Sequence, residues 1–407
     1  MNRVPTFIGD QAEGTKVQVD EFHEASMGSL VRVTGHDSFL HRDYDHFAFV
    51  PDALPFELAL SQATYKAATE ASLALGRLDF AVRRLPNPRL LVRPALRREA
   101  QSTSALEGTY ATLDEVLEAD FVDEANLRAE VREVMNYVRA AERALELIEV
   151  KPICVTMLCE LQEILVRGTR GDTFDRGRLR QGQVYIGERR KGIEASRFVP
   201  PPPGDVLVEG VSDWEKWVNA EDDIPLVVKV ALTHYQFETL HPFSDGNGRL
   251  GRLVATLQLI VNGALTYPVL NLSPWLEERK DEYKDHLLTV SKTGALDDWV
   301  TFFCAAISAQ AEDGVNRIED LLTFREELAQ KLAAAKVRGV ALQIADSLWG
   351  YPVITPSAAA TNHGVTYPPA NSAIGKLVEL GVLREVTGRT YGRVFICDEV
   401  MDIMQRD

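Results

Sequence analysis

Residues 241–252 read HPFSDGNGRLGR, and the apolar run LVATLQLIV follows directly at 253–261. The spacing of the apolar residues in that run predicts a helix, so Gly246 and Gly248 stand where a turn meets a helix N-terminus. Unpaired backbone N–H groups at such an N-terminus bind anions, and glycine lets a phosphate approach the main chain. The stretch therefore predicts a phosphate site built on the start of a helix.

The side chains of the same stretch supply the other groups that chemistry on a nucleoside triphosphate requires. Asp245 can hold a hard cation such as Mg²⁺, which prefers one or two carboxylates together with phosphate oxygens. Arg249 and Arg252 are three residues apart, so they share a helical face from which both can bind phosphate oxygens. His241 has the near-neutral pKa that suits a base for an attacking hydroxyl. The alternative is a glycine-rich corner with a solvated arginine pair.

These residues resemble the motif HxFx(D/E)GNGRxxR of the Fic family and match it at every defined position. The resemblance implies transfer of AMP from ATP to a hydroxyl side chain of a target protein. It makes His241 the general base, Asp245 the Mg²⁺ ligand and Arg252 the clamp for the γ-phosphate. The remaining ATP-binding residues that this stretch implies are Gly246, Asn247, Gly248, Arg249, Leu250 and Gly251.

An upstream segment, TSALEG at 103–108, resembles the (S/T)xxxE(G/N) inhibitory helix of the same family. Thr103, Glu107 and Gly108 occupy the matching positions. The resemblance implies that Glu107 pairs with Arg252, and an arginine committed to a carboxylate is unavailable to a phosphate. We therefore expect the site to be held shut, whereas the alternative is an ordinary surface glutamate near a helix end.

Residues 177–187 read GRLRQGQVYIG, and their alternation of polar and apolar residues before a turn-prone stretch predicts a β-hairpin arm. This arm resembles the family's flap, which holds a segment of the target protein by main-chain pairing. On the same resemblance Ile186 and Gly187 touch the nucleotide, and Tyr283 lies near its adenine. A helix tyrosine more often belongs to a core. His234 is expected to pack beneath the site without a catalytic role.

The last part of the chain predicts three helices and a two-stranded wing. Helical patterns cover 340–349, a short stretch after Thr355 and 369–380, and residues 383–396 read as two strands around Gly388. This order resembles a winged helix-turn-helix, in which the third helix can read DNA. Because the basic residues here are offset by acidic ones, protein docking or dimerisation is favoured over DNA binding.

The sequence therefore predicts a mainly α fold, a Fic-type helical bundle with a β-hairpin flap and a C-terminal winged helix-turn-helix domain. The predicted division is an extended N-terminal arm over 1–50, a helical module with the inhibitory helix over 51–120, the catalytic core over 121–312, a linker helix over 313–337 and the winged-helix domain over 338–407.

Composition limits the remaining choices. The chain has 407 residues with 45% hydrophobic content, enough to bury more than one core. Its formal net charge of −16 disfavours the whole surface as a nucleic-acid clamp. The four cysteines show neither a CxxC pair nor a histidine at zinc spacing, so we expect free thiols in a reducing compartment. An apolar signal core and a membrane-length run are also missing from the sequence, which predicts a cytoplasmic protein without a membrane partner.

Together with the resemblance, these patterns predict an autoinhibited protein adenylyltransferase that uses ATP and Mg²⁺. Its substrates would be Ser, Thr or Tyr hydroxyls of a target docked on the flap and of the chain itself. The tail is compatible with a homodimer. Two alternatives stay open. The first is a de-AMPylase in which Glu107 positions a water, and the second is a nucleotide-sensing transcription regulator that binds DNA.

Overall fold

A computed structural model of the chain describes residues 22, 27–37, 39–188, 190–388 and 391–406. Helices dominate the described residues, and two small antiparallel sheets accompany them, so the predicted mainly α class is confirmed. The helices of the first two-thirds of the chain are α1 (Gln62–Arg83), α2 (Arg89–Leu106), α3 (Leu113–Glu118), α4 (Ala129–Leu147), α5 (Val155–Val166), α6 (Asp205–Val218), α7 (Leu226–Leu240) and α8 (Asn247–Val261). The later helices are α9 (Ser273–Glu278), α10 (Lys280–Thr293), α11 (Leu296–Ala334), α12 (Val340–Ser347), α13 (Pro356–Asn362), α14 (Tyr367–Glu379) and α15 (Asp398–Gln405).

Two helices, α7 and α8, form the centre of the bundle. Nearly every residue of α7 is buried, because other helices cover each of its faces, and polar side chains such as His234 and Gln236 are buried together with the apolar ones. The helices α6, α8 and α11 pack against α7, and α4, α5 and α7 pack against α8. The loop that joins α7 and α8 is therefore held at the ends of two almost fully buried helices.

The helix α2, which carries the predicted inhibitory segment, lies against α4 and α9. Pro94 stands in its second turn, where the missing N–H removes one hydrogen bond of the helix. Most of the second half of α2 is buried and includes charged side chains, among them Arg98 and Glu99. Buried charges need partners, and Glu99 accepts hydrogen bonds from both the backbone N–H and the hydroxyl of Ser273 on α9.

The N-terminal part forms a β-hairpin where the sequence predicted an extended arm. Its strands β1 (Gly28–Asp37) and β2 (Arg42–Pro51) pair in antiparallel register from Gly28 with Pro51 to Asp37 with Arg42. The inward side chains Val33 and Ala48 pack on Ile193 and Val199, so the hairpin covers the flank of the predicted flap. The residues before 22 in the predicted arm lie outside the described part of the chain.

The predicted flap contains less sheet than a β-hairpin. Its only described strand pairing is a single antiparallel bridge between Ile186 and Phe198, and the rest of the arm is extended. At Gly187 the backbone approaches Ser196 so closely that an added Cβ would lie 2.9 Å from the Cα of Ser196. Glycine is therefore required at this point of the arm.

The C-terminal part follows the predicted order of helices and strands. Thr355 caps α13 as predicted, since its hydroxyl accepts from the N–H of Ala358 at 3.1 Å. The strands β4 (Arg384–Glu385) and β5 (Phe395–Ile396) flank Gly388, and β5 also pairs with β3 (Val353–Ile354), an extra strand beyond the predicted wing. Residues 389 and 390 of the wing lie outside the described residues. The name winged helix stays a prediction.

The residues of the predicted linker helix, 313–337, are helical as far as Ala334 and form the second half of α11, one helix of 39 residues. The last helix, α15, packs on α11 and was not predicted. Arg317 of α11 donates to the carbonyl oxygens of Ile403 and Arg406 at the end of α15. Asp313 accepts from Arg317 at 2.9 Å and from Arg98 at 3.2 Å, so a charged chain connects α2, α11 and α15.

Two further sequence expectations concern cysteines and membranes. All four cysteines are free thiols, as predicted, and Cys304 and Cys397 are buried. In the part of the chain that the structure describes, each helix is either too short or too polar to cross a membrane.

Glycines inside two helices provide a stability test. An added Cβ at Gly76 of α1 would meet nothing within 4 Å, whereas one at Gly314 of α11 would lie 2.8 Å from a methyl carbon of the buried Leu78. We expect Gly76→Ala to raise the free energy of unfolding by about 0.5–1 kcal/mol, because alanine has the higher helix propensity.

Gly314→Ala is the matched control, since it gains the same propensity but must displace Leu78. Denaturant unfolding of the two variants beside the wild type measures both changes. An equal stabilisation by both substitutions would contradict the packing described for Gly314.

Candidate active site

His241 ends α7 in a left-handed conformation, with φ of 47° and ψ of 59°. Such a conformation is uncommon for a residue other than glycine, and it turns the chain sharply away from the helix axis. The backbone N–H of His241 still donates to the carbonyl of Phe237 at 3.0 Å, so the turn starts directly at the last hydrogen bond of α7. The imidazole is thereby placed at the mouth of the loop between α7 and α8.

The loop is closed by the side chain of Asn247. Its Oδ1 accepts from the N–H of Phe243 at 2.9 Å, and its Nδ2 donates to the carbonyl of Phe243 at 2.8 Å. Gly246 has a φ of 89° and lies so close to Leu165 that an added Cβ would be 2.8 Å from that side chain. Both polar atoms of the Asn247 amide are therefore bound to the loop, and they fix its conformation ahead of the first turn of α8.

A residue that the sequence analysis left without a role, Arg180, ties the flap to this loop. Its Nε donates to the carbonyl of His241 at 2.8 Å, and its backbone N–H donates to the carbonyl of Pro242 at 2.9 Å. The side chain is fully buried. The sequence did not predict these contacts, because the alternation of polar and apolar residues in the arm does not show which distant carbonyl groups a buried arginine will bind.

The environment of His241 keeps its imidazole neutral. Burial lowers the pKa of His241 to about 4, and the nearby Arg180 guanidinium contributes in the same direction. Nδ1 lies 3.4 Å from the carbonyl oxygen of Glu238. In the tautomer protonated at Nδ1, that nitrogen donates to the carbonyl and leaves the lone pair of Nε2 free to accept a proton.

Arg252 is bound to the predicted inhibitory segment by three hydrogen bonds. It donates to the hydroxyl of Thr103 at 2.7 Å, to the carbonyl of Thr103 at 3.0 Å and to Oε1 of Glu107 at 2.7 Å. The Arg252 side chain is 2% exposed, whereas that of Glu107 is 38% exposed. The pairing that the resemblance implied is thus present, with the arginine buried and the carboxylate at the rim.

Both members of this pair are held in their charged forms. Burial alone would raise the pKa of Glu107, but the Arg252 guanidinium brings it below its ordinary value. Burial alone would likewise lower the pKa of Arg252, and the Glu107 carboxylate more than reverses that effect. At neutral pH the contact is an ion pair.

The carboxylate of Glu107 also lies against the start of α8. A Cβ added to Gly248 would be 2.2 Å from Oε1 of Glu107, so the carboxylate lies directly over the first turn of the helix. The N–H groups of a first turn have no partner within their helix and favour an anion. Glu107 therefore occupies the place where the sequence predicted a phosphate.

The first motif arginine, Arg249, faces a different carboxylate. It is buried and donates to Glu133 of α4 at 2.8 Å and to Asp245 at 3.2 Å. Glu133 also accepts from the hydroxyl of Thr109, two residues after Glu107, at 2.9 Å. Arg170 donates to the carbonyl of Glu107 at 3.0 Å and holds the same turn. In this state Arg249 supports the loop and is not free for a phosphate.

Sequence reasoning missed Glu133 and Arg170. Glu133 lies on an amphipathic helix whose apolar stripe includes its neighbour Val134, and such a position predicts a solvated side chain. Instead Glu133 is buried, because Arg249 and Thr109 converge on it from two other elements. No local pattern in the sequence carries that information.

Asp245, the predicted metal ligand, is the carboxylate nearest the loop surface. Its Oδ1 accepts from the N–H of Gly246 at 2.6 Å and from Arg249, and its side chain is 34% exposed. Among the described residues there is no group of three or more His, Cys, Asp or Glu side chains that could hold a metal ion. A single accessible carboxylate fits a cation such as Mg²⁺ that takes its other ligands from phosphate and water.

The floor of the site contains Glu238, His234 and Tyr283. His234 Nε2 lies 2.7 Å from the hydroxyl of Tyr283, and both residues are buried beneath the loop. Burial raises the pKa of Glu238 to about 7 and lowers the pKa of His234 to about 3. Gly251 packs on this floor, where an added Cβ would lie 2.7 Å from Oε1 of Glu238.

The remaining predicted nucleotide contacts are spread around the site. The side chain of Leu250 is buried in the core around α4 and α5, away from the surface. Ile186 is half-buried on the flap beside the exposed Gly187. Tyr283 is only 4% exposed, so its predicted contact with adenine stays a prediction.

The chain is similar to known proteins in both sequence and structure. Two family profiles match: Fic/DOC family N-terminal over residues 65–146, and Fic/DOC family over residues 152–259. A protein adenylyltransferase Fic of Drosophila yakuba is 27% identical over 251 residues, covering 60% of this chain and 45% of that protein. The Drosophila virilis protein of the same name is 29% identical over 205 residues, covering 50% of this chain and 36% of that protein. The chain thus spans less than half the length of these relatives.

A solved structure shares the fold. The crystal structure of a Fic family protein from Desulfovibrio desulfuricans G20 aligns with a TM-score of 0.56 at 20% identity, covering 84% of this chain and 98% of that chain. The alignment covers more of the chain than the two profile matches, so the fold likeness includes residues outside them.

The buried His234 provides a test of the site's floor. The fold lowers the pKa of His234 from 6.5 to about 3, so its stability contribution is complete above pH 6.5 and is lost as the pH falls towards about 3. We expect the stability of the wild type relative to His234→Gln to decrease by about 1.4 kcal/mol per pH unit below pH 6.5.

Denaturant unfolding at a series of pH values measures this difference. Glu238, whose pKa is raised, acts with the opposite sign between pH 7 and 4.5, and Arg252 keeps its charge throughout. Because both are present in wild type and variant, their effects cancel in the difference. A pH-independent difference would contradict a neutral His234 in the folded chain.

Proposed function

We propose that this chain, which carries the N-terminal and Fic domains of the Fic/DOC family, is an autoinhibited protein adenylyltransferase. ATP would be its co-substrate and a hydroxyl side chain of a protein its acceptor. The observation that carries the proposal is the Glu107 carboxylate, an anion bound by Arg252 over the first turn of α8, beside a neutral His241. A triphosphate would take the place of that carboxylate.

In the proposed reaction the acceptor hydroxyl attacks the α-phosphorus of ATP. A bond forms between the hydroxyl oxygen and that phosphorus, the bond to the β-phosphate oxygen breaks, and pyrophosphate leaves. Nε2 of His241 takes the hydroxyl proton, a role that contributes roughly 10²–10⁴-fold. The low pKa of His241 belongs to the ATP-free state. The negative charge of bound phosphates would raise it towards the operating pH.

Positioning and charge neutralisation supply most of the rate in phosphoryl-type transfer. The N–H groups of the first turn of α8 would hold the α- and β-phosphates, and Arg252 would hold the γ-phosphate. Asp245 would hold Mg²⁺, which supplies charge neutralisation between phosphate oxygens when bound.

Autoinhibition follows from the burial of Arg252. A guanidinium that is 2% exposed needs an anionic partner, and leaving such a charge unpaired costs on the order of 3–5 kcal/mol. Glu107 provides that partner in the resting chain, and the γ-phosphate would provide it in the active one. Because the two anions use the same guanidinium, they exclude one another.

The flap is the proposed docking place for the target. Among the described residues, the strand pairing of this arm is the bridge between Ile186 and Phe198, and a short extended arm of this kind suits the addition of a strand from the target. Main-chain pairing tolerates many side chains, which suits an enzyme that also modifies its own chain. The acceptor class is Ser, Thr or Tyr.

A second function uses the same residues. The rim position of Glu107, 38% exposed and close enough to influence the charge on His241, also suits a carboxylate that orients water towards an AMP-modified side chain. De-AMPylation is therefore the second candidate. It differs from the first in needing Glu107, whereas transfer of AMP is inhibited by Glu107.

Labelling with ATP tests whether Glu107 inhibits AMP transfer. We expect Glu107→Gly to incorporate at least about tenfold more AMP into its own chain than the wild type, because Arg252 becomes available to ATP. His241→Ala in the Glu107→Gly background should reduce labelling to background. Radiolabelled ATP, followed by mass identification of the modified residue, measures both outcomes.

The labelling result also separates the two candidates. Wild-type chain that strips AMP from a previously modified protein, in a reaction that Glu107→Gly abolishes, would support de-AMPylation. Absence of AMP transfer by Glu107→Gly, with the protein folded and ATP bound, would refute the adenylyltransferase proposal.

The affinity for ATP tests whether Glu107 and ATP compete for Arg252. Calorimetry should show that Glu107→Gly binds ATP about tenfold more tightly or better, because a charge-assisted hydrogen bond is worth roughly 1.5–3 kcal/mol. Glu107→Gln keeps the shape without the charge and should fall between the two. Arg252→Ala should cancel the gain, and an unchanged affinity in all three variants would exclude competition at Arg252.

A further inference from the structure

Arg180 is a buried cation whose hydrogen-bonded partners are all carbonyl oxygens. Its Nε donates to His241 and its Nη1 to Gly182 at 3.2 Å, while its Nη2 donates to Pro201 and, at 3.5 Å, to Leu240. Asp175 acts on it only through space. Burying a guanidinium without a bound carboxylate is costly, and burial lowers the pKa of Arg180 to about 10. Even so, the group is charged at neutral pH.

The carbonyls that it binds mark a particular place in the fold. Leu240 is the last residue of α7, and His241 is its left-handed cap, so both carbonyls belong to the negative end of the helix. The backbone N–H of Arg180 binds the next carbonyl, that of Pro242, at 2.9 Å. Three consecutive carbonyls around the left-handed residue are thus fixed by one arginine.

The same side chain also binds both sides of the flap. Gly182 lies on the arm that leads to Ile186, and Pro201 follows the returning segment that contains Phe198. The backbone of His241 and the position of the flap are therefore held by one group. Neither could shift without breaking hydrogen bonds of Arg180.

We propose that Arg180 is a positioning residue, which holds His241 in its left-handed conformation for proton acceptance and fixes the flap in register with it. Its positive charge also disfavours the protonated imidazole and so keeps the base free before ATP binds. The inference rests on the proposed function only in the role given to His241, since the geometry itself is independent of the reaction.

The test compares Arg180→Lys and Arg180→Met in the Glu107→Gly background. Auto-AMPylation at saturating ATP should fall on the order of 100-fold in both, because neither side chain can bind the carbonyls as a fork and a displacement of about 1 Å has that effect. ATP affinity by calorimetry should stay within about threefold, since Arg180 does not touch the phosphate site. Arg176→Met, which removes a surface pair with Asp172, is the matched control and should keep the rate.

A second readout does not depend on catalysis. Histidine NMR titration, with His241 assigned by His241→Ala, should show its pKa rising from about 4 towards 6.5 in Arg180→Met, and rising less in Arg180→Lys, which keeps the charge. Rates within threefold of the parent together with an unchanged His241 pKa would overturn the proposal. Equal losses of ATP affinity, thermal stability and rate would also overturn it, because they indicate a general structural role.

The two proposals fail in different ways. If Glu107→Gly with an intact Arg180 transfers no AMP, the enzyme assignment fails, while the titration in the otherwise wild-type chain still decides whether Arg180 controls His241. If Arg180→Met does not fold, Arg180→Gln replaces it in both measurements with the same expected direction.

Discussion

The structure depends on the pairing of one buried guanidinium, that of Arg252, with an anion. Water cannot solvate a side chain that is 2% exposed, so the folded chain must supply a partner. Glu107 does so from the end of α2, and Thr103 completes the set from one turn earlier. This pairing holds the segment from Thr103 to Glu107 against α8, and glycine at 248 leaves room for the Glu107 carboxylate.

The sequence was most informative where chemistry is local. The residues from His241 to Arg252 lie within one loop and one helix start, so their order alone predicted the turn, the helix and the group of charged side chains around it. The pairing of Glu107 with Arg252 joins residues far apart in the chain, and only the resemblance to a family pointed to it. In the structure, Nη2 of Arg252 lies 2.7 Å from Oε1 of Glu107.

Residues with long-range partners could not be predicted in this way. Arg180 and Glu133 lie in stretches whose patterns describe an arm and a helix, yet each is buried among groups from other elements. The continuity of α11 was missed because its second half is charged and rich in alanine, which read as a separate linker. Periodicity shows which face of an element is buried, but not which charged group will meet it there.

The side chains of Arg98, Asp313 and Arg317 form a row of ion pairs that joins α2 to α11. Asp313 of α11 accepts from Arg98 of α2 at 3.2 Å and from Arg317 of α11 at 2.9 Å. Arg317 in turn donates to the carbonyl oxygens of Ile403 and Arg406 at the end of α15. Groups that share a partner do not contribute additively to free energy. The free energies that hold α2 and α15 against α11 are therefore coupled through Asp313 and Arg317, and Glu107 lies at the end of α2.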